Sequence, residues 1–396
     1  MIKHLFKLIW NKKKQNALLI VEMLVSFLVI FAVFTGVVYC WRNYLKPIGI
    51  DYKPVLSVVY HNEVKWSNSD SMVNFYETLR KRLEAMPEVE SVSFHSPNIP
   101  FTHSMNGTGL TYKGKKMSMI NVYTVEDSYK EVFRVKVVEG RWLNAQDDEH
   151  LSKRKHMVIS EALKEKTFGN APAVGKTIGS WDDSEQYEVV GVVEDMKDKG
   201  SYTSPYPSVY KRLDTAAFAW VGNIMIRTKQ GTGAAFESRL YRVLAGSMRN
   251  ATISIGHFDS MLKDMDKFSL VPMIIALIVA GFLIVNVALG LFGVLWYNIN
   301  KRKGEIGLRR AIGATGASVS GQLVGESMIV ATMALVIGVF FAAQFPFLRV
   351  FNLPPVVYVI AIGLSVLFIY LLVLMCSLYP GKQAAAIYPA VALHEE

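Results

Sequence analysis

Lys301-Arg-Lys-Gly-Glu-Ile-Gly-Leu-Arg-Arg-Ala-Ile-Gly313 is a short basic segment wedged between two long uncharged runs. Val271 to Asn298 before it and Ser327 to Leu348 after it carry no Asp, Glu, Lys or Arg. Each exceeds the roughly 20 residues a helix needs to cross a ~30 Å hydrocarbon core, so both read as membrane spans. The basic segment between them reads as a connector on one face of the bilayer.

The same rule gives two more spans. Ala17 to Trp41 is apolar except for Glu22, and Val350 to Gly381 is uncharged, with Pro354-Pro355 delaying its helix to about Val356. The expected order is an N-terminal cytoplasmic segment (1-16), a span (17-41), a large external region (42-268) and a second span (269-298). A cytoplasmic coupling loop or helix (299-321), a third span (322-344), an external link (345-355), a fourth span (356-379) and a cytoplasmic tail (380-396) complete it.

Orientation follows from where the basic residues lie. Lys3, Lys7, Lys12, Lys13 and Lys14 at the N-terminus join Lys301, Arg302, Lys303, Arg309 and Arg310 in the connector, and the positive-inside rule puts both segments in the cytoplasm. The net charge of +10 is therefore mostly topology: residues 42-268 hold 31 Lys and Arg against 28 Asp and Glu, only +3. That balance excludes a nucleic-acid footprint. The N-terminal apolar run is too long for a signal peptide and has no small-residue cleavage site, so it is expected to stay as a span. Cys40 and Cys376 both fall within or beside spans, which leaves no disulfide framework and no paired-cysteine metal site.

The external region is long enough for its own core, and its two ends look alike. Val55-Leu-Ser-Val-Val-Tyr60 is strand-like, Ser69 or Asp70 can cap a helix with Val73, Tyr76, Leu79, Leu83 and Met86 on one face, and Val89 to His95 alternates again. Near the far end, Asn223 to Thr228 is a strand, Ala235 to Met248 a helix with Phe236, Leu240, Val243 and Leu244 inward, and Ala251 to Ile255 another strand. Two such units can share one sheet, which makes residues of about 96-221 an inserted subdomain. That insert is expected to be mainly β, with one helix from Ser160 to Phe168. The fold class is thus four transmembrane helices plus an α+β extracytoplasmic domain with two split β-α-β units and a mainly β insert.

Chemistry-bearing motifs are sparse. Gly175-Lys176-Thr177 ends like a phosphate-binding loop, but the glycine required five residues before Gly175 is Asn170. His95, His103, His150 and His156 read as scattered surface histidines, and Asp147-Asp148-Glu149 and Asp182-Asp183 as solvated turns lacking the ligand spacing of a metal loop. There is no GxSxG and no cysteine nucleophile. No catalytic residue, cofactor or metal is expected. Glu22 and Glu326, at or near membrane depth, are expected to be interfacial carboxylates reaching water or pairing with Lys14 or Arg310.

The connector itself carries a helix pattern. Glu305 and Arg309 form the favourable i,i+4 pair, Ile299, Ile306 and Ile312 supply apolar contacts, and Gly313 and Gly316 stop the helix before the next span. Such a helix lying along the membrane face suits docking into a groove on a partner, with Ile306 expected to enter that groove.

Glu305-Ile-Gly-Leu-Arg-Arg-Ala-Ile-Gly-Ala314, followed by Gln322 and Glu326, closely resembles the permeases of ABC transporters of the MacB-like and FtsX-like family, with Gly304 where many members have Arg. Glu139-Gly-Arg-Trp142, Phe168-Gly-Asn170, Val174 to Ile178 and Val189-Val-Gly-Val-Val193 resemble that family's periplasmic core domain. Tyr379-Pro-Gly-Lys-Gln-Ala-Ala-Ala386, with Pro389 and Ala392-Leu393, resembles its C-terminal ending. The resemblance implies a permease in the cell inner membrane, with the large domain in the periplasm, a second permease subunit in a homo- or heterodimer, and surrounding membrane lipids. It also implies a cytoplasmic ABC ATPase, which the incomplete phosphate-binding loop makes a separate chain. Residues Glu305, Ile306, Gly307, Leu308, Arg309, Arg310, Ala311 and Gly313 would couple to that ATPase. The implied work is export or extraction of envelope substrates such as peptides, antibiotics or lipoproteins, with room for a periplasmic adaptor. An FtsX-like signalling role, activating a periplasmic partner without transport, is the alternative.

Overall fold

The computed structural model describes residues 13–61, 69–147, 155–213, 221–248 and 251–386. Lys3, Lys7, Lys12, Asp148, Glu149, His150, Pro389, Ala392 and Leu393 lie outside these described residues. Two compact units divide the chain, Asn43–Ser269 and a second made of Met1–Arg42 with Leu270–Glu396.

Four helices of the second unit are long and apolar enough to cross a membrane. They are α1 (Lys13–Tyr44), the membrane part of α6 (Phe258–Lys301), α8 (Gly316–Ala342) and α10 (Pro355–Ala385). Leu19, Met23, Phe27, Ile30 and Phe31 recur at helical spacing on α1 and are buried with Val287 and Leu291 of α6, Val330, Ala331 and Leu335 of α8, and Tyr358, Ile369 and Val373 of α10. Close packing, not water exclusion, holds such helices together in lipid. The expected link over 345-355 contains the short helix α9 (Gln344–Leu348) and a 3-10 turn (Val350–Asn352).

In the other unit the end pieces interleave. Strand β1 (Val55–His61), helix α2 (Ser69–Glu84) and strand β2 (Val89–His95) form the first β-α-β piece; β10 (Asn223–Thr228), α5 (Ala234–Ser247) and β11 (Thr252–His257) form the second. The strand order is β11-β1-β10-β2, with every neighbouring pair antiparallel. Leu56, Val58 and Tyr60 alternate onto one face and meet Tyr76, Leu79 and Leu83 of α2 and Phe236, Leu240 and Leu244 of α5 in one core. On α2 the buried first-turn residue is Met72, while Val73, expected inward, is half-buried.

The insert carries β3 (Gly107–Tyr112), β4 (Lys115–Val125), β5 (Val137–Gly140), β6 (Lys155–Ser160), β7 (Thr177–Ser180), β8 (Gln186–Val193) and β9 (Ser208–Arg212). The pairings β4-β3-β7-β8-β6-β9 close on themselves because β9 lies parallel against β4, giving a six-stranded barrel filled by Leu110, Ile120, Met157, Ile159, Ile178, Val189 and Val209. Besides the expected helix, α4 (Glu161–Phe168), a short α3 (Tyr129–Phe133) packs Tyr129, Val132 and Phe133 into a neighbouring core. The Glu139-to-Trp142 and Val189-to-Val193 motifs meet at one close backbone approach. Arg141 N donates to Val190 O at 3.0 Å, and a Cβ on Gly191 would lie 2.0 Å from Arg141 O.

The second span helix begins earlier than its uncharged run. α6 starts at Phe258, not 269, because Phe258, Leu262 and Met265 are buried at helical spacing beneath a polar face where Asp259 and Lys263 pair at 3.3 Å. At about 1.5 Å per residue its 44 residues far exceed the hydrocarbon thickness.

Candidate functional site

After α6 ends at Lys301, the chain turns at Arg302 and forms α7 (Lys303–Ala311). Gly313, at φ +104°, ends that helix in a conformation that favours glycine. Gly313 N donates to Arg310 O at 3.1 Å and Ala314 N to Arg309 O at 3.0 Å, a closure that satisfies the last carbonyls. Thr315 then caps α8, its hydroxyl accepting from Ser318 N at 3.3 Å.

One face of α7 is turned inward. Ile306 is only 7% exposed and packs with Ile299, Val319, Leu323 and Ala384; Gly307 beside it is buried too. This corrects the expectation that Ile306 enters a partner's groove: its groove is supplied by α6, α8 and α10 of the same chain. Lys301 belongs to α6, across the break at Arg302, so it shares no helix face with Ile306.

The outward face carries Leu308, 51% exposed, and Ile312, 79% exposed, one turn apart with exposed Ala311 and Arg309 between them. The short polar helix thus presents two large aliphatic side chains on its outward side.

Five side chains fix the orientation of that face. Arg302 donates to Glu305 at 3.2 Å and to Glu326 at 3.1 Å, Gln322 donates to Glu326 at 3.1 Å, Arg309 donates to Gln322 at 2.8 Å, and Arg309 also pairs with Glu305. The result is a closed ring joining α7 to the first turns of α8. Arg310 donates to the Ala385 carbonyl at the end of α10. Glu326 therefore pairs with Arg302, where Lys14 or Arg310 was the expected partner. Sequence reading missed Arg302, because a residue in a helix break carries no periodic signal.

The other expected site residues stand apart from this arrangement. Glu22 lies on α1 with its carboxyl against α6, where a Cβ on Gly290 would come within 2.7 Å of Oε1; the side chain of Lys14 is outside the described residues. His95 is no surface residue but fully buried, its Nδ1 2.6 Å from Ser96 O. Burial lowers its pKa to about 4. His156 Nδ1 sits 2.8 Å from Asp147, which also takes two bonds from Arg141 at 2.6 and 2.7 Å, so Asp147 is buried and not part of a solvated turn. Gly175-Lys176-Thr177 runs into strand β7, whereas a phosphate-binding loop opens a helix. Among the described residues no group of three or more His, Cys, Asp or Glu could hold a metal ion.

Two family models match the chain: the MacB-like periplasmic core domain over residues 45–241 and the FtsX-like permease C-terminal over residues 277–389. An uncharacterized ABC transporter permease, YvrN of Bacillus subtilis, is 22% identical over 298 residues, 71% of this chain and 71% of its own length. The macrolide export ATP-binding/permease protein MacB of Escherichia coli K12 is 24% identical over 318 residues, 76% of this chain but 44% of its own length. MacB of Aggregatibacter actinomycetemcomitans is likewise matched over only 37% of its length, so the chain spans less than half of these MacB relatives. A crystal structure of the periplasmic region of MacB from Actinobacillus actinomycetemcomitans aligns with TM-score 0.40 and 17% identity, covering 56% of this chain and 97% of that one.

Proposed function

From the premise that the chain belongs to the ABC transporter permeases of the MacB-like and FtsX-like type, we propose that it is a coupling subunit. ATP binding and hydrolysis by a separate cytoplasmic ATPase would be converted through it into rearrangement of residues 43–269 outside the membrane. The observation that carries this reading is α7: a capped helix between two transmembrane helices, locked to α8 by a ring of side chains, presenting Leu308 and Ile312 outward. An effector shifts a conformational equilibrium only through its differential affinity for the two states. A rigidly oriented α7 would pass movement of a docked partner to the ends of α6, α8 and α10, so a partner that binds one arrangement of those ends more tightly would favour it.

In this reading Glu305, Arg309, Arg310 and Gly313 orient the helix, Leu308, Ala311 and Ile312 touch the ATPase, and Ile306 and Gly307 seat α7 on the membrane bundle. The subunit pairs with a second permease in the inner membrane, holds its large unit in the periplasm, and exports or extracts envelope substrates such as peptides, antibiotics or lipoproteins. In a second, FtsX-like reading the same coupling activates a periplasmic partner without transport. Recovery of the chain from membranes with an ABC ATPase tests the common core of both. Small envelope molecules trapped with the complex favour transport, whereas a stoichiometric periplasmic protein with no such molecule favours signalling. A chain that recovers no ATPase contradicts both readings.

A further inference from the structure

Between β8 and β9, the segment Lys197-Asp-Lys-Gly-Ser-Tyr202 takes hold of the chain on both sides of the external unit. Lys197 is 2% exposed, and its ammonium donates to Asn43 O at 2.8 Å, Lys46 O at 2.7 Å and Ser201 O at 2.9 Å, so all three of its protons are used. Asn43 lies in the last turn of α1 and Lys46 follows its end, where the negative end of the helix dipole favours a cation. Asn43 Nδ2 in turn donates to Tyr202 O at 3.2 Å, and the Tyr44 and Tyr202 rings stack at 5.5 Å.

The same loop grips α6. Asp266 accepts from Ser201 N at 2.6 Å and from Ser201 Oγ at 2.7 Å. Gly200, at φ +104°, comes so close that a Cβ would lie 2.8 Å from the Asp266 carboxylate. One turn earlier on α6, Leu262 and Phe258 are buried in the core of this unit, with Val193 of β8 and Tyr210 of β9. Burial lowers the Lys197 pKa, and nearby Asp266 opposes that shift.

We propose that the loop Lys197–Tyr202 is the joint by which the external unit holds the outer ends of α1 and α6, with Lys197 its positioning residue on α1 and Ser201 its contact with Asp266 on α6. This rests on the coupling reading above. A membrane helix that shifts would move the external unit only if its emerging end were held, and beside the core contacts of Phe258 and Leu262 the loop ties both ends together within six residues. The loop therefore sets how much helix movement reaches the barrel and sheet. Lys197→Met removes three bonds to α1 and the loop while keeping the aliphatic stem; Asp266→Asn weakens chiefly the α6 contact, leaving the three Lys197 bonds in place, and is the milder change should Lys197→Met fold poorly.

The test is amide hydrogen exchange on the full-length chain in lipid nanodiscs, with and without its ATPase and a non-hydrolysable ATP analogue. Without nucleotide, Lys197→Met should speed exchange at 43–48 and Asp266→Asn at 262–269 by about tenfold or more, while strands β1 and β8 keep parental protection. With ATPase bound, both variants should retain the ATPase yet lose most of the nucleotide-dependent change in exchange within 43–269. Parental exchange at those segments overturns the joint, and so does an undiminished nucleotide response despite loosened helix ends. If the parent recovers no ATPase, the coupling reading fails by itself, and the joint then stands or falls on the nucleotide-free comparison.

Discussion

Ile306 and Leu308 are two residues apart, and their environments assign them opposite work. Ile306→Asp would bury an unpaired charge among Ile299, Val319, Leu323 and Ala384, at a cost of several kcal/mol, roughly 3-5 by analogy with broken buried pairs. The thermal midpoint of the purified chain should fall sharply. Leu308→Asp places its charge in water and should leave that midpoint nearly unchanged, within the ~0.5 kcal/mol typical of surface substitutions. Its effect should appear only when the ATPase is added. An Ile306→Asp chain as stable as the parent would show that α7 does not pack as described.

His95 makes a residue-scale prediction in the external unit. Its pKa is lowered from 6.5 to about 4 by burial, with the rings of Tyr123 and Tyr129 against it. Between those values the unfolded chain binds a proton that the folded chain does not, so stability rises with pH through the window. The contribution is intact above about pH 6.5 and lost as pH falls toward 4, a change of about 3 kcal/mol at ~1.4 kcal/mol per unit. Urea unfolding at pH 7 and pH 4.5 checks this: His95→Gln should flatten the pH dependence, and an unchanged slope would remove His95 as its source. Burial of His95 was not legible in the sequence, because Pro97 and the polar residues after it suggest a surface loop.

At the scale of elements, the direction of α7 relative to α8 is set by the closure at Gly313. Gly313→Val would force a β-branched residue to φ +104°, costing about 1–3 kcal/mol or breaking the closure, and so would swing the start of α8 relative to α7. ATPase retention should drop about tenfold or more although residue 313 forms none of the aliphatic contact face. Parental retention would show that docking tolerates a loosened connector. The sequence revealed that a helix lies here, from Glu305 and Arg309 at i,i+4 and from the terminating glycines. It did not reveal which face is inward, because the seat of Ile306 is built by Val319, Leu323 and Ala384, residues 13 or more positions away. The start of α6 was hidden for a related reason: Asp259, Lys263, Asp264, Asp266 and Lys267 look like a polar approach to a span, and their helical character shows only in the buried spacing of Phe258, Leu262 and Met265.

Across the whole molecule, the transmembrane helices were legible because lipid imposes length and the absence of charge, which are local properties of a chain. The two β-α-β pieces were legible from alternation and helix faces. Closure of the barrel was not, since the parallel pairing of β4 with β9 joins residues more than 80 positions apart and leaves no mark on either strand. The connector and the exposed Met119 are expected on opposite sides of the membrane. In intact cells, with Cys40 and Cys376 replaced by Ser, a Met119→Cys variant should react with a membrane-impermeant maleimide and a Lys303→Cys variant only after permeabilisation; external labelling at 303 would invert the topology. Coupling through α7 requires that Leu308 and Ile312 touch the ATPase while Ile306 faces its own bundle. Photo-crosslinking from a benzophenone maleimide attached in turn to Leu308→Cys, Ile312→Cys and Ile306→Cys variants of a chain whose Cys40 and Cys376 are replaced by Ser, in membranes holding the ATPase, measures this directly. Positions 308 and 312 should yield the permease–ATPase adduct and 306 only intramolecular product, whereas adduct from 306, or from none of the three, would contradict the account.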